Sequence, residues 1–165
     1  MAREKESLTK LYLEELRDLY DAEQQILEAL PKMIQQTKHA DLKRGFQEHY
    51  QQTEQQVQRL EQIFESLGES PEGKECHGMK GLLEEGEEIM KEFGDSDVLD
   101  AALISAAQHV EHYEMAGYGC ARTYAHMLGF AEHGNLLQRT LDEEGETDKK
   151  LTELAETVVN IDALK

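Results

Sequence analysis

Apolar residues recur at steps of three and four from Leu8 through Tyr12, Leu16, Leu19, Ile26, Leu30 and Met33. A stripe of that period is one face of an amphipathic helix, for which Ser7 is the predicted N-cap. Glu15, Glu23 and Ile34 lie on or beside the stripe. Pro31 falls inside it and predicts a kink or an early end, since proline removes a backbone donor and crowds the preceding turn. The period breaks over 37–41, where Asp41 is a ready cap. It resumes through Leu42, Phe46, His49, Thr53, Val57, Leu60, Phe64 and Leu67 in a second long helix that Gly68 stops. Ser70-Pro71-Glu72-Gly73 marks the break.

A shorter amphipathic segment over 78–93 carries Met79, Leu82, Leu83, Ile89, Met90 and Phe93 on one face and many glutamates on the other, which predicts a surface helix within a crossover. Asp95 and Ser96 are the predicted caps of a third long helix. Its Ala101, Ala102, Ala106, Ala107, Ala116, Gly117, Gly119 and Ala121 are small enough for close helix approach or for room around a buried site. Gly129 ends it, and a fourth helix runs from about Phe130 to Val159 through Leu137, Leu141, Glu144, Thr147, Asp148, Leu151, Leu154 and Val158. Short links after the first and third long helices and a long link after the second are the connectivity of a ferritin-like four-helix bundle. The predicted fold is therefore all-α, a single domain over 1–165 with a short extra helix in the crossover. A short internal match, Thr53-Glu54-x-x-Val57-x-x-Leu60 against Thr147-Asp148-x-x-Leu151-x-x-Leu154, fits an origin in two helix pairs.

Charge narrows the partners. Against 35 acidic residues stand 17 Lys and Arg, a formal charge of −18, with no basic cluster. Nucleic acid and anionic membranes, both bound through clustered cations, are excluded as expected partners. The N-terminal Met-Ala-Arg-Glu-Lys-Glu leads into no apolar stretch, and no window suits a membrane span, so a cytoplasmic protein is expected. Cys76 and Cys120 form no motif, which agrees with a reducing compartment; Cys120, among small residues, is expected to be buried.

The informative polar residues are those that share the apolar stripes. Glu23, His49, Glu144 and Asp148 do so near mid-helix, and Glu111 and Glu114, three apart, project from one face of the third long helix. Buried carboxylates cost several kcal/mol unless paired, hydrogen-bonded or bound to metal. An oxygen-rich set with histidine suits iron or manganese better than structural zinc. The competing reading is that acids this abundant fall near any stripe by chance, and for isolated residues such as Glu15 or Glu54 the solvated face is the expected place. His112 is read as a hydrogen-bonding neighbour of the site or of the core, and His39, His77, His109, His126 and His133 as surface or boundary residues. Tyr20, Tyr113 and Tyr118 are candidates either for hydrogen bonds to metal-bound carboxylates or for amphipathic packing.

Four segments carry a family resemblance: Glu-Leu-Arg-Asp-Leu-Tyr-Asp-Ala-Glu-Gln-Gln (15–25), Glu-His-Tyr-Gln-Gln-Thr (48–53), the stretch 101–114 ending Val-Glu-His-Tyr-Glu, and Thr-Leu-Asp-Glu-Glu-Gly-Glu-Thr-Asp (140–148). From about residue 7 to 157 the chain resembles the YciE/YciF family of bacterial stress-associated proteins. The resemblance implies a ferritin-like fold similar to rubrerythrin and manganese catalase, a dimetal site of iron or manganese, and a homodimer. Carried over by position, the ligands would be Glu23, His49, Glu111, Glu114, Glu144 and Asp148. The broader ferritin-like pattern places Glu-x-x-His on two helices, and this chain has it on neither. Its second helix offers His49-x-x-Gln52, so Gln52 would give a neutral oxygen where relatives often carry glutamate. The resemblance implies no known substrate; the leading expectation is a cytoplasmic stress-response protein that binds iron or manganese and carries out redox chemistry with peroxide or dioxygen. The alternative is a structural protein with a degenerate or empty site. Leu13, Leu27 and Leu103, off the main stripes, are the expected dimer-forming residues; the expected partners are a second copy and metal ions.

Overall fold

The computed structural model describes residues 2–164. Four long helices, α1 (Ala2–Gln36), α2 (Ala40–Leu67), α4 (Leu99–Leu128) and α5 (Ala131–Leu154), form the bundle, and α3 (His77–Phe93) lies in the crossover. After α5 the chain widens into one π turn, Ala155–Val159, and ends in the short α6 (Asn160–Asp162). No helix among the described residues is long and apolar enough to cross a membrane.

Local chemistry moved several boundaries. The first helix begins at Ala2, not at Ser7, because the good helix formers upstream extend it. Pro31 neither ends nor breaks α1: it lies on the exposed side, and the helix continues to Gln36. Thr37 closes it, donating from N and Oγ1 to the Met33 carbonyl. His39, rather than Asp41, caps α2: its Nδ1 accepts from the Asp41 N–H at 3.2 Å, leaving Asp41 as a favourable first-turn acid. Asp95 and Ser96 sit in the turn before α4, whose N-cap Val98 contributes no side-chain hydrogen bond. Gly68 and Gly129 end α2 and α4 in the left-handed conformation, at φ 67° and 88°.

Three contacts set the directions. Asp100 accepts from the backbone N–H of Lys38 and His39 at 3.0 and 2.6 Å, which fixes the start of α4 beside the start of α2. Lys150 Nζ lies 3.8 Å from Glu48, so the end of α5 reaches the same end of the bundle. Hence α2 and α4 run parallel, and α1 and α5 run against them, the arrangement of a ferritin-like bundle. The crossover makes this return along α1: Cys76 N–H donates to Asp21 at 2.7 Å, and further along Lys32 meets Glu87 at 2.9 Å.

The apolar core is in two halves. One surrounds Ile26, Leu30, Leu42, Phe46, Leu99, Leu103 and Ile104; the other surrounds Tyr12, Leu16, Leu60, Phe64, Tyr118 and Leu137. Between them lies a buried polar layer that contains Glu23, His49, Thr53, Gln56, Glu111, Glu114, Thr140 and Glu144. The small residues of α4 serve the approach to this layer at Gly117, where a Cβ would lie 2.8 Å from Leu19 Cδ2. Close contact of α1 and α4 there sets Glu23 against Glu114.

Some side chains lie elsewhere than expected. Cys120 is exposed and Cys76 is the buried thiol, because residue 120 faces outward on α4 while residue 76 is clamped under the crossover. Leu103 is fully buried in the core and so is no dimer-forming residue, whereas Leu13 and Leu27 are half-buried. His133 is buried, stacked on Tyr12 and hydrogen-bonded to Ser66 at 2.7 Å.

Candidate metal centre

Each helix of the bundle delivers an inward polar group to the layer. α1 supplies Glu23, one turn beyond Leu19 on the same stripe. α2 supplies His49, and Thr53 and Gln56 continue its line at the next two turns. α4 supplies Glu111 and Glu114, and α5 supplies Glu144. One donor atom from each of His49, Glu111, Glu114 and Glu144 lies within 4.8 Å of the others, and all four residues are buried. Glu23 adjoins this group and faces Glu114 carboxyl to carboxyl; Glu111 and Glu144 meet in the same way. Such contacts are hydrogen bonds only when one carboxyl carries a proton.

The electrostatics follow from burial. Desolvation, then repulsion from Glu144, pushes Glu23 well above the usual carboxylate range, although Tyr118 and Arg59 act against the rise. Glu111 is raised by burial and by Glu144, and Glu114 by burial and by Glu23, Glu144 and Glu111. Burial lowers His49, so its imidazole is held neutral; Nε2 lies 3.6 Å from Glu111. With every carboxyl ionised, seven buried polar atoms among the described residues lack a partner: Oε2 of Glu23, Glu111 and Glu144, both oxygens of Glu114, Nδ1 of His49 and Oε1 of Gln56. Buried polar groups are ordinarily satisfied. Four carboxylates carry the charge that two divalent cations would neutralise, and hard oxygens with one imidazole are the donors iron and manganese take. The residues present fit such a metal.

Around the acids stands a fixed frame. Tyr118 Oη donates to Glu23, and Gln56 Nε2 donates to Glu144. Arg59 grips Glu143 with two bonds of 2.6 and 2.7 Å and donates to Thr140 at 2.9 Å. Burial works against the charge of Glu143, yet Arg59, Gln56 and Arg139 hold it below the usual carboxylate range.

Of the residues singled out in the sequence, Glu23, His49, Glu111, Glu114 and Glu144 are brought together. Asp148 stands at the rim, half-buried, accepting from Gln108 at 3.0 Å and lying 3.2 Å from His112 Nε2. His112 is exposed there and has no place in the core. Gln52 is half-buried on α2. Gln56, unremarked in the sequence, holds the inward position, and its place seven residues after His49 on the same stripe was the signal available. Among the tyrosines, Tyr118 meets a site carboxylate, whereas Tyr113 binds Asp18 and Tyr20 binds Glu61.

A family described as a domain of unknown function (DUF892) matches residues 7–164. The chain belongs to that family. Protein YciF of Escherichia coli K12 is 40% identical over 155 residues, 93% of either chain. The crystal structure of YciF, described as an E. coli stress protein, superposes with a TM-score of 0.88, covering 93% of this chain and 97% of that one. YcfI of Rhodopseudomonas palustris, provisionally described as a structural protein, is 43% identical with a TM-score of 0.85, covering 88% and 92%. A Xanthomonas campestris protein (XCC3681) at 20% identity and a TM-score of 0.75, covering 94% of each chain, shares the fold. The DUF892 chain described above thus shares its bundle with all three, and with YciF and YcfI a large part of its sequence.

Proposed function

We propose that this DUF892 protein is a stress-associated metalloprotein that holds iron or manganese between Glu23, His49, Glu111, Glu114 and Glu144 and reacts with an oxidant such as dioxygen or peroxide. The observation that carries the reading is that, with the carboxyls ionised, seven polar atoms among the described residues are left unpartnered in one buried layer, a cost that metal coordination offsets. A bound pair of such metals supplies two one-electron steps, the chemistry that reduction of dioxygen or peroxide needs.

The chain's own groups prepare that chemistry. Burial favours the protonated form of Glu23, Glu111 and Glu114, and each must be deprotonated to become a ligand. The depressed basicity of His49 keeps its lone pair free for a metal at neutral pH. Tyr118 and Gln56 hold one oxygen of Glu23 and Glu144, so each carboxylate presents its other oxygen inward. The two apolar halves of the core keep bulk water from the layer. Asp148, at the rim, is a further candidate ligand.

Protein purified without chelator is expected to carry iron or manganese. Loaded with either metal, it is expected to consume peroxide or oxidise Fe²⁺ faster than a Glu23→Ala/Glu111→Ala double variant. Identical stopped-flow traces for the two proteins would remove the redox reading. Absence of bound metal would favour a structural protein, the reading that neutral Gln56 and the lack of Glu-x-x-His on α2 and α5 support.

A further inference from the structure

On the side of the bundle covered by the crossover, α1, α3 and α4 enclose a groove of about 360 Å³. Ala29, Met33, Leu83 and Val110 line it, and the same four residues line a second, narrow space of about 20 Å³ that reaches His49 and Glu111. The groove and the throat therefore adjoin at these residues, which stand between them, and the throat ends on two buried ligand candidates. His49 Nδ1 and Glu111 Oε2 are both without partners.

We propose that this path admits a small apolar diatomic molecule of the dioxygen class, and that the throat is its binding pocket. The proposal rests on the metal-centre reading given above and narrows its oxidant. The size of the throat suits a guest of a few atoms, since about 10–15 Å³ of such volume already holds one water. Apart from its inner end the wall is hydrocarbon, contributed by Ile26, Ala29, Leu83, Ala107 and Val110 among others. A dry apolar space of this kind binds xenon-like guests readily. Hydrogen peroxide would surrender its hydrogen bonds to water with nothing in return along the wall, and a metal cation would lose its hydration shell, so neither is selected by this route. Over the mouth, Lys32 of α1 meets Glu87 of α3 at 2.9 Å with both side chains half in solvent, a pair too weak to lock the groove.

Two probes test the path. Crystals of the metal-free protein pressurised with xenon are expected to show a xenon atom between Ala29, Leu83, Ala107 and Val110, absent from Ala29→Phe. In the Fe²⁺-loaded protein, nitric oxide is expected to associate at least tenfold more slowly in Ala29→Phe, with the bound Fe²⁺ unchanged. Leu83→Trp, which narrows the same throat from the half-buried face of α3, is the second variant should Ala29→Phe fold poorly. A throat free of xenon, or association rates within twofold of wild type in the folded variants, would overturn the proposal. Failure of the wild type to bind Fe²⁺ would overturn the metal reading instead, and the xenon position would then decide the throat alone.

Discussion

Stripped of metal, the protein will lose stability as the pH is raised above about 4.5, the ordinary carboxyl value. Glu23, Glu111 and Glu114 have folded-state values raised above that of the unfolded chain. Their contribution is therefore fully present below the unfolded value and is lost as the pH rises through the folded ones. His49 works the other way: because its value is lowered, stability rises with pH up to about 6.5, where the unfolded imidazole has also lost its proton. One imidazole is outweighed by three carboxyls. Each proton that the native state retains and the unfolded chain has released costs about 1.4 kcal/mol per pH unit. For a chain of this length that is a fall in Tm of roughly 3–6 °C per unit. Below 4.5 the trend turns, because Asp18 and Glu143, held low by their hydrogen-bonding partners, then lose those interactions. Saturating Mn²⁺ reverses the slope above 4.5, since metal takes the deprotonated ligands and its affinity grows with pH. Thermal melts from pH 5 to 8 in chelator and in Mn²⁺ check both halves; a chelated melting temperature that is flat or rising would contradict the first.

Replacing Glu114 by Leu will have two effects of opposite sign. With the carboxyls ionised, both oxygens of Glu114 are buried and unpartnered, so at a pH high enough to ionise them the carboxyl is a burden in the metal-free protein that a side chain of similar bulk removes. A gain of about 1–2 kcal/mol is expected in chelator, or roughly 2–8 °C in Tm. The same change removes a candidate ligand, and bound metal is expected to fall by at least half. Alanine at Glu23, Glu111 or Glu144 is expected to lower metal content likewise, with circular dichroism unchanged. A structural role for Glu114 predicts the reverse pair, a lower melting temperature with metal content intact.

The helical stripes were legible because each long helix buries one continuous face, and a period of 3.6 survives in the residue order even where Glu23 and His49 interrupt the hydrocarbon. The inward acids could be read for the same reason. The frame that holds them could not: Arg59, Thr140 and Glu143 meet across α2 and α5, and nothing in either helix alone distinguishes Glu143 from a solvated neighbour. Gln52 and Gln56 are of one residue type, and the choice between them depends on the rotation of α2 against α5. Cys76 was hidden in a loop whose path sequence periodicity does not describe. The capping of α2 by His39 was hidden because Asp41 looks the better cap until Asp100 claims the backbone N–H groups of Lys38 and His39.

The division of the candidate ligands between helix pairs has a kinetic consequence. Glu23 and His49 belong to the hairpin α1–α2, and Glu111, Glu114 and Glu144 to the hairpin α4–α5, with the long crossover between them. Each hairpin has a short turn and closes locally and fast, whereas docking the two must overcome the chain entropy of that crossover. The complete donor set comes into being only with docking. An ion held by both pairs is absent from any transition state in which they are still apart, so it acts as a clasp: it lengthens the lifetime of the folded chain and leaves the speed of folding nearly untouched.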